Sequence, residues 1–484
     1  MPVATEASRN DASKPSAAVA AAVLPETQFP PGPRLPRSVQ TARWLIGSPA
    51  FMDRCRERYG DIFTLDLVAK VAAGPAAKRE EGRWVFLADP DHVRQVFTAD
   101  PAVVRTGDTN MFLEPLVGPR SILVLDEPAH MIQRKLMLPP FHGERVQGFG
   151  ELMSEVARAE VERWPIDEPF ALWPRMQAIT LEVIVRAVFG ISEPGRLERM
   201  QELLRRMLNG MTRPSFLVKH VLFASFAGEK PDANRSRAVR GFLDPVEEAL
   251  FEVIGRRRLA ADLDEREDIL SLFVQARYED GSPMSDGELR DELMTLLIAG
   301  HESTATMLAW AFERLLRHPD KLARLRDEAD AGQDEYADAI VKETLRHRPV
   351  LPIVLRKLNQ PMAIGGYRLP AGAWLAPCAY LIHRREDLYP EPRRFLPERF
   401  LERAPGTYTW MPFGGGVRRC IGASFAQLEM KRVLQAVLGS AELKPDRATS
   451  ERFRARFITL APSRGARVVL TRRPRRAVRR ALPA

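Results

Sequence analysis

A chain of 484 residues, 45% of them hydrophobic, supplies enough apolar side chains for an extended core, which excludes a disordered polymer. No run approaches the roughly 18 apolar residues of a membrane span, and the alanine-rich stretch 17–24 lacks a charged leader, so a cytoplasmic protein with no membrane span is expected. The formal charge of +9 does not mark a nucleic-acid binder, because Arg472, Arg473, Arg475, Arg476, Arg479 and Arg480 supply most of it and the body is close to balanced.

Residues 1–28 are rich in Ala, Ser and Pro and read as a disordered extension, followed by the Pro-rich lead-in Phe29 to Pro33. With no internal repeat and no second linker, 29–470 reads as a single domain and 471–484 as a solvated basic tail. Cys55, Cys378 and Cys420 are far apart and form no CxxC pair, so neither a disulfide framework nor a structural zinc site is indicated. Cys55 and Cys378 are expected to be small buried hydrophobes.

Helical periodicity dominates, at 153–164, 175–189 and 196–211 for example, so the class is mainly α with a minor β-sheet. The best-defined element runs from Ser285 to just before Pro319. Ser285 with Glu288 forms a capping box, and Pro319 disfavours helix at His318. A helix of roughly 33 residues would be about 50 Å long and would cross the whole domain, with an apolar middle that requires burial. Halfway along lies Ala299-Gly300-His301-Glu302-Ser303-Thr304, which breaks the local rules. Gly300 weakens a helix interior, Ser303 and Thr304 divert backbone hydrogen bonds, and Glu302 would sit among apolar side chains. The bland reading is a hydroxyl bonded back to its own helix and an acid that reaches water. Three violations together favour a functional groove.

Glu343-Thr344-Leu345-Arg346 places a carboxylate and a guanidinium three residues apart on one helix face, alone a weak signal. In 362–374, Gly365-Gly366 and Ala371-Gly372 punctuate short extended runs as hairpin turns do. Pro397-Glu398-Arg399-Phe400 follows. The string Phe413-Gly414-Gly415-Gly416-Val417-Arg418-Arg419-Cys420-Ile421-Gly422 then precedes an amphipathic helix with Phe425, Leu428, Val433 and Val437 near one face. Cys420 would meet the free N–H groups and positive dipole end of that helix, which lower a thiol pKa and favour metal ligation. The glycines let the backbone curl and approach a bulky planar group.

These four strings, in this order, resemble the cytochrome P450 superfamily of the soluble bacterial type, from about Phe29 to Val469. The resemblance implies a long central helix over a buried haem b, with Cys420 as the iron ligand and Phe413, Gly414, Ile421, Gly422, Ala299 and Gly300 against the cofactor. It implies that Arg418, His130, Arg134 and Arg356 bind haem propionates, which guanidinium forks suit. Glu343, Arg346 and Arg399 resemble the family's buried ion-pair triad. Glu302 and the hydroxyl beside it match the acid–alcohol pair that relays protons during oxygen reduction, but the alcohol is Ser303, with Thr304 next, where Thr is usual. Serine keeps the donor and acceptor and loses the methyl that restricts its rotamer.

The implied reaction is that of an oxidoreductase acting on paired donors. One atom of O2 enters a hydrophobic small molecule and the other becomes water, with electrons ultimately from NAD(P)H. A ferredoxin or flavodoxin with its reductase would deliver them, docking electrostatically near Arg419, Lys431, Arg432 and Lys135. A monomer without nucleic acid is expected. Met111 to Leu125, the 203–227 region, Leu297, Ala299 and Val350, Leu351, Ile353 and Val354 form the expected substrate lining, which points to a lipid-like ligand such as a fatty acid or terpenoid. The rival readings are a peroxide-driven peroxygenase or isomerase, which tends to lose the acid–alcohol pair, and a non-catalytic haem-binding sensor.

Overall fold

The computed structural model describes residues 27–68, 79–211, 237–456 and 458–472. The expected N-terminal extension, most of the basic tail and most of the 203–227 lining lie outside the described residues. The helices that build and hold the site are α1 (Arg37–Tyr59), α2 (Pro90–Phe97), α3 (Ala129–Met137), α4 (Gly150–Val161), α5 (Leu172–Ala187), α6 (Pro194–Met211), α7 (Arg237–Arg258), α8 (Asp286–Leu315), α9 (Glu335–His347) and α10 (Ala423–Ser440). Those expected at 153–164, 175–189 and 196–211 are α4, α5 and α6, with ends displaced by no more than three residues.

Strands are short and peripheral. The largest sheet orders β1 (Ile62–Asp66), β2 (Arg83–Leu87), β8 (Trp374–Pro377), β5 (Arg356–Leu358) and β3 (Val104–Arg105). A hairpin joins β6 (Met362–Ile364) to β7 (Tyr367–Leu369) across Gly365-Gly366, as the sequence predicts. The second turn does not make a hairpin. After Ala371-Gly372 the chain leaves β7, and β8 pairs with β5 and, in parallel, with β2. Leu375 and Ala376 are fully buried there, so β8 is better placed inside the large sheet than beside β7 at its edge. The C-terminal part adds β9 (Glu442–Pro445), β10 (Phe453–Arg456), β11 (Thr459–Pro462) and β12 (Arg467–Arg472). β10 pairs with β11, and β12 lies between β9 and β4 (Pro169–Ala171).

The central helix α8 is 30 residues long and starts as predicted. Ser285 Oγ accepts the Glu288 N–H, and Glu288 Oε2 accepts the Ser285 N–H at 2.7 Å. Leu293, Met294, Trp310 and Phe312 are fully buried in a core shared with α4, α5, α9 and α10. α8 packs against α5 in a matched register. Gln177, Thr180 and Ile184, on one face of α5, meet Glu302, His301 and Gly300 in turn. A Cβ on Gly300 would stand 3.2 Å from the Ile184 Cδ1, so this glycine serves the close approach of two helices.

A buried ion pair ties α9 to the segment that leads into the cysteine string. Glu343 and Arg346 are both fully buried and joined by two hydrogen bonds, at 2.7 and 2.8 Å. Arg399 approaches the same carboxylate at 3.4 Å, and the Leu396 N–H donates to it at 2.8 Å. The Arg346 fork also donates to the carbonyls of His383, Pro392 and Arg394. His383, held neutral by burial with its pKa near 3, accepts the Met411 N–H at 3.0 Å, two residues before the string begins. Glu343→Ala would leave Arg346 charged and unpaired in the core, a loss of about 3–5 kcal/mol. Chemical denaturation is expected to show that loss together with failure to retain haem, and a wild-type midpoint would refute the brace.

Candidate functional site

The cysteine string folds as a tight loop closed by two hydrogen bonds, from the Gly414 N–H to the Met411 carbonyl and from the Cys420 N–H to the Phe413 carbonyl, at 3.1 and 3.0 Å. It lies flat on the end of α2. Gly416 has φ +66°, and a Cβ there would come within 2.3 Å of the Phe97 carbonyl oxygen. Only glycine meets both demands. Cys420 then stands three residues before α10.

The Gly422 N–H and the guanidinium groups of Arg134 and Arg419 favour a thiolate at Cys420, as a helix start should, but burial outweighs them and raises the thiol above its ordinary pKa. Desolvation thus opposes the lowering that the helix start alone would give. Cys420 is exposed, yet the protein around it desolvates its thiol, so its sulfur borders a recess rather than the outer surface. Ala299 repeats the pattern from α8, since it is exposed at the middle of a helix whose flanks are buried. A Cβ on Gly414 would meet Val354 at an ordinary 3.7 Å, and Phe413, Ile421 and Gly422 are half-buried around the sulfur loop.

Four basic residues gather near one edge of this space. Arg356 is buried and forms no ion pair among the described residues. It donates only to the neighbouring Leu355 carbonyl and stacks on Phe97 at 5.3 Å. Burial lowers its pKa to about 9. Arg418 pairs with Asp126 at 3.2 Å and approaches Glu127 at 3.9 Å. His130 bonds Glu127 through Nδ1 at 2.6 Å, and burial with the Arg418 charge lowers its pKa to about 4. Half-buried Arg134 has no carboxylate within ion-pair distance among the described residues, and its nearest electrostatic partner is Cys420. Arg356 and Arg418 open into a cleft shared with Phe97, Thr106, Asp126, Glu127 and Gly415. A buried guanidinium without a counterion is costly, so the cleft fits a group that brings its own carboxylates.

On α8 the acid is prepared in a different way. Burial raises the Glu302 carboxyl to about 7, against the opposing pull of the Arg456 guanidinium and of the Gln177 amide, which donates to Oε2 at 2.9 Å. Ser303 Oγ donates to the Ala299 carbonyl at 2.6 Å, bonded back to its own helix, and Thr304 is buried. His301, which held no expected role, is neutral with its pKa near 4 and hydrogen-bonded to Thr180.

The expected lining divides in two. Leu351, Ile353 and Val354 are half-buried, whereas Leu297 and Val350 are packed into the core at 0% and 1% exposure and line nothing. Lys431, expected on the docking face, is occupied by Asp334 and Asp338, both at 3.2 Å, and Arg432 leans on Asp334 at 3.5 Å. Arg419 is exposed and unpaired among the described residues.

The family model for cytochrome P450 matches residues 30–467. The chain belongs to the cytochrome P450 family. It is 41% identical over 449 residues to putative cytochrome P450 135B1 of Mycobacterium bovis and of Mycobacterium tuberculosis, covering 91% of both chains. To putative cytochrome P450 137 of Mycobacterium tuberculosis it is 37% identical over 446 residues, covering 91% of this chain and 90% of that one. Its fold matches a retinoic-acid-bound cyanobacterial CYP120A1, with a TM-score of 0.74, 22% identity and coverage of 92% and 99% of the two chains. It also matches the cytochrome P450DA heme domain, with a TM-score of 0.75, 24% identity and coverage of 92% and 98%.

Membership makes this chain a monooxygenase that uses haem iron and O2. For a P450, the site holds two residues that the sequence reading passed over, Gln177 and Arg456. Gln177 follows the ordinary periodicity of α5, and Arg456 sits in an unremarkable basic strand, so only folding reveals their carboxylate. Gly416→Ala is expected to destabilise the P450 fold by at least about 1–2 kcal/mol from the backbone conformation alone. Thermal unfolding checks this, and an unchanged midpoint would refute the fit of the loop against Phe97.

Proposed function

We propose that Cys420 is the haem ligand of a cytoplasmic P450 that oxidises a hydrophobic small molecule, with electrons originating from NAD(P)H and arriving through a separate ferredoxin or flavodoxin and its reductase. The observation that carries this reading is the Cys420 sulfur, exposed yet desolvated by the protein around it, with the guanidinium of Arg356, which has no counterion among the described residues, in the cleft beside its loop. When bound, haem with a thiolate ligand supplies the electron donation that favours O–O cleavage. Arg356, Arg134, Arg418 and neutral His130 would hold the propionates, with Arg356 gaining most because it is the buried one of the two arginines that have no carboxylate among the described residues. Ala299 leaves room on the α8 side. The half-buried Leu351, Ile353 and Val354 exclude water from an apolar substrate such as a fatty acid or terpenoid. Exposed Arg419, unpaired among the described residues, presents positive charge for an acidic redox partner; Lys135 shares its charge with Glu279 at 3.4 Å, and Lys431 and Arg432 are occupied by Asp334 and Asp338. No helix among the described residues is long and apolar enough to cross a membrane.

Glu302 holds the proton to be delivered, and Ser303 passes it on once its hydroxyl turns from the Ala299 carbonyl. A donor with a pKa near 7 is loaded below that value and emptied above it, so coupled product formation should be full near pH 6 and fall as pH rises through 7. Gln177 and Arg456 both favour the charged form. Gln177→Ala should therefore raise the Glu302 pKa and move the fall to higher pH. A profile of product yield and peroxide release against pH tests this, and an unshifted profile would remove Gln177 from the relay. For the ligand itself, Cys420→Ser, reduced and exposed to carbon monoxide, should lose the absorption of sulfur-ligated haem. Retention of that absorption would overturn the whole assignment.

A further inference from the structure

Arg348 directly follows α9, and Arg384 follows the short helix Ala379–Ile382. Both guanidinium groups lie against the ring of Phe453 on β10, at 5.0 and 5.8 Å. Arg348 also covers Trp310 at 5.0 Å, and Arg384 covers Tyr380 at 3.6 Å. The three rings touch one another edge-on, with Trp310 and Phe453 5.2 Å apart and Phe453 and Tyr380 6.1 Å apart. Two cations are thus mounted on one aromatic cluster where α1, α8, α9 and β10 meet.

Their hydrogen bonds are poor. Arg348 donates once, to the His347 carbonyl at a long 3.4 Å, and its buried Nε–H has no acceptor. Arg384 reaches the carbonyls of Tyr380 and His347 at 3.2 and 3.5 Å. Neither has a carboxylate within ion-pair distance among the described residues.

The carboxylates nearby are already committed. Glu313 is shared by Arg314 and by Arg317 at 3.1 Å, and also accepts the Glu451 N–H. Asp53 of α1 accepts the Tyr380 hydroxyl at 3.0 Å. The other charges that bear on the pair, Arg314, Arg346 and Arg393, are positive, and Arg346 already consumes Glu343. Arg348 and Arg384 are thus without an ion-paired carboxylate among the described residues, Arg384 feeling only the more distant charge of Asp53, and both side chains are only partly exposed.

Stacking on aromatic faces occupies the planes of the guanidinium groups and leaves their N–H edges free. Two partly exposed guanidinium edges that converge on the His347 carbonyl, neither with an ion-paired carboxylate among the described residues, match a small oxyanion with two negative charges better than chloride or a single carboxylate. We propose that Arg348 and Arg384 form a binding site for a phosphate dianion, free or as the terminal group of a phosphate monoester. The site shares no residue with the Cys420 cavity and does not depend on the function assigned to it.

A ligand that binds only the folded state raises the unfolding midpoint by mass action. Thermal unfolding of the holoprotein is therefore followed in increasing sodium phosphate and in sodium chloride of equal ionic strength, with glucose 6-phosphate as the ester probe. The wild-type midpoint should rise saturably with phosphate beyond the chloride control. Arg348→Gln should weaken the apparent phosphate affinity at least tenfold while leaving the midpoint in chloride nearly unchanged, since Arg348 makes a single long hydrogen bond. If that variant does not fold, Arg348→Lys keeps the charge, removes the fork and should still lower the affinity severalfold. Equal responses to phosphate and chloride, or a wild-type phosphate response in the variant that folds, would overturn the site. Saturation by inorganic phosphate but not by the ester would restrict the ligand to the free ion and so overturn the ester form.

Discussion

A guanidinium taken out of water has to find oxygen atoms, and this requirement orders the molecule. Arg346 satisfies it internally, with both carboxylate oxygens of Glu343 and three main-chain carbonyls around one fork. Arg257 does so with Asp268 and Ser271. Arg356 does not, and the cleft beside it borders the glycine loop that presents Cys420. Where the chain completes the coordination of a buried arginine, the result is a brace. Where it stops short, a partner from outside is required. The same polar chemistry thus distinguishes scaffold from site.

The brace and the site are mechanically linked. From Glu343 the contacts run through Arg346 to the His383 carbonyl, through the His383 ring to the Met411 N–H, and from there into the loop whose glycines lie on Phe97. Every step is a hydrogen bond or a steric limit within a close-packed interior, so the sulfur has little freedom to drift.

Much of this was legible in the sequence where chemistry is local. The Ser285–Glu288 cap, the helices α4 to α6, the Gly365-Gly366 hairpin and the Glu343–Arg346 spacing depend on neighbours within a turn or two, and each appears as predicted. What escaped is long-range. The choice of β8 for β2, whose paired residues Trp84 and Trp374 are 290 positions apart, is invisible to a local pattern. The same holds for the capture of Lys431 by Asp334, and for whether Leu297 turns to the core or to the cavity. Gly300 was read as a cofactor contact because of its motif, but its missing Cβ faces Ile184. The thiol pKa was misjudged because a helix end was weighed without the desolvation that accompanies it.

The register of α5 on α8 has a practical consequence. Gln177, Thr180 and Ile184 fix the acid, its neighbouring imidazole and the spacing of the two backbones from a helix outside the cofactor cavity. Substitution on α5 can therefore reset the carboxyl of Glu302 and the spacing of the two backbones while every side chain of α8 stays as it is.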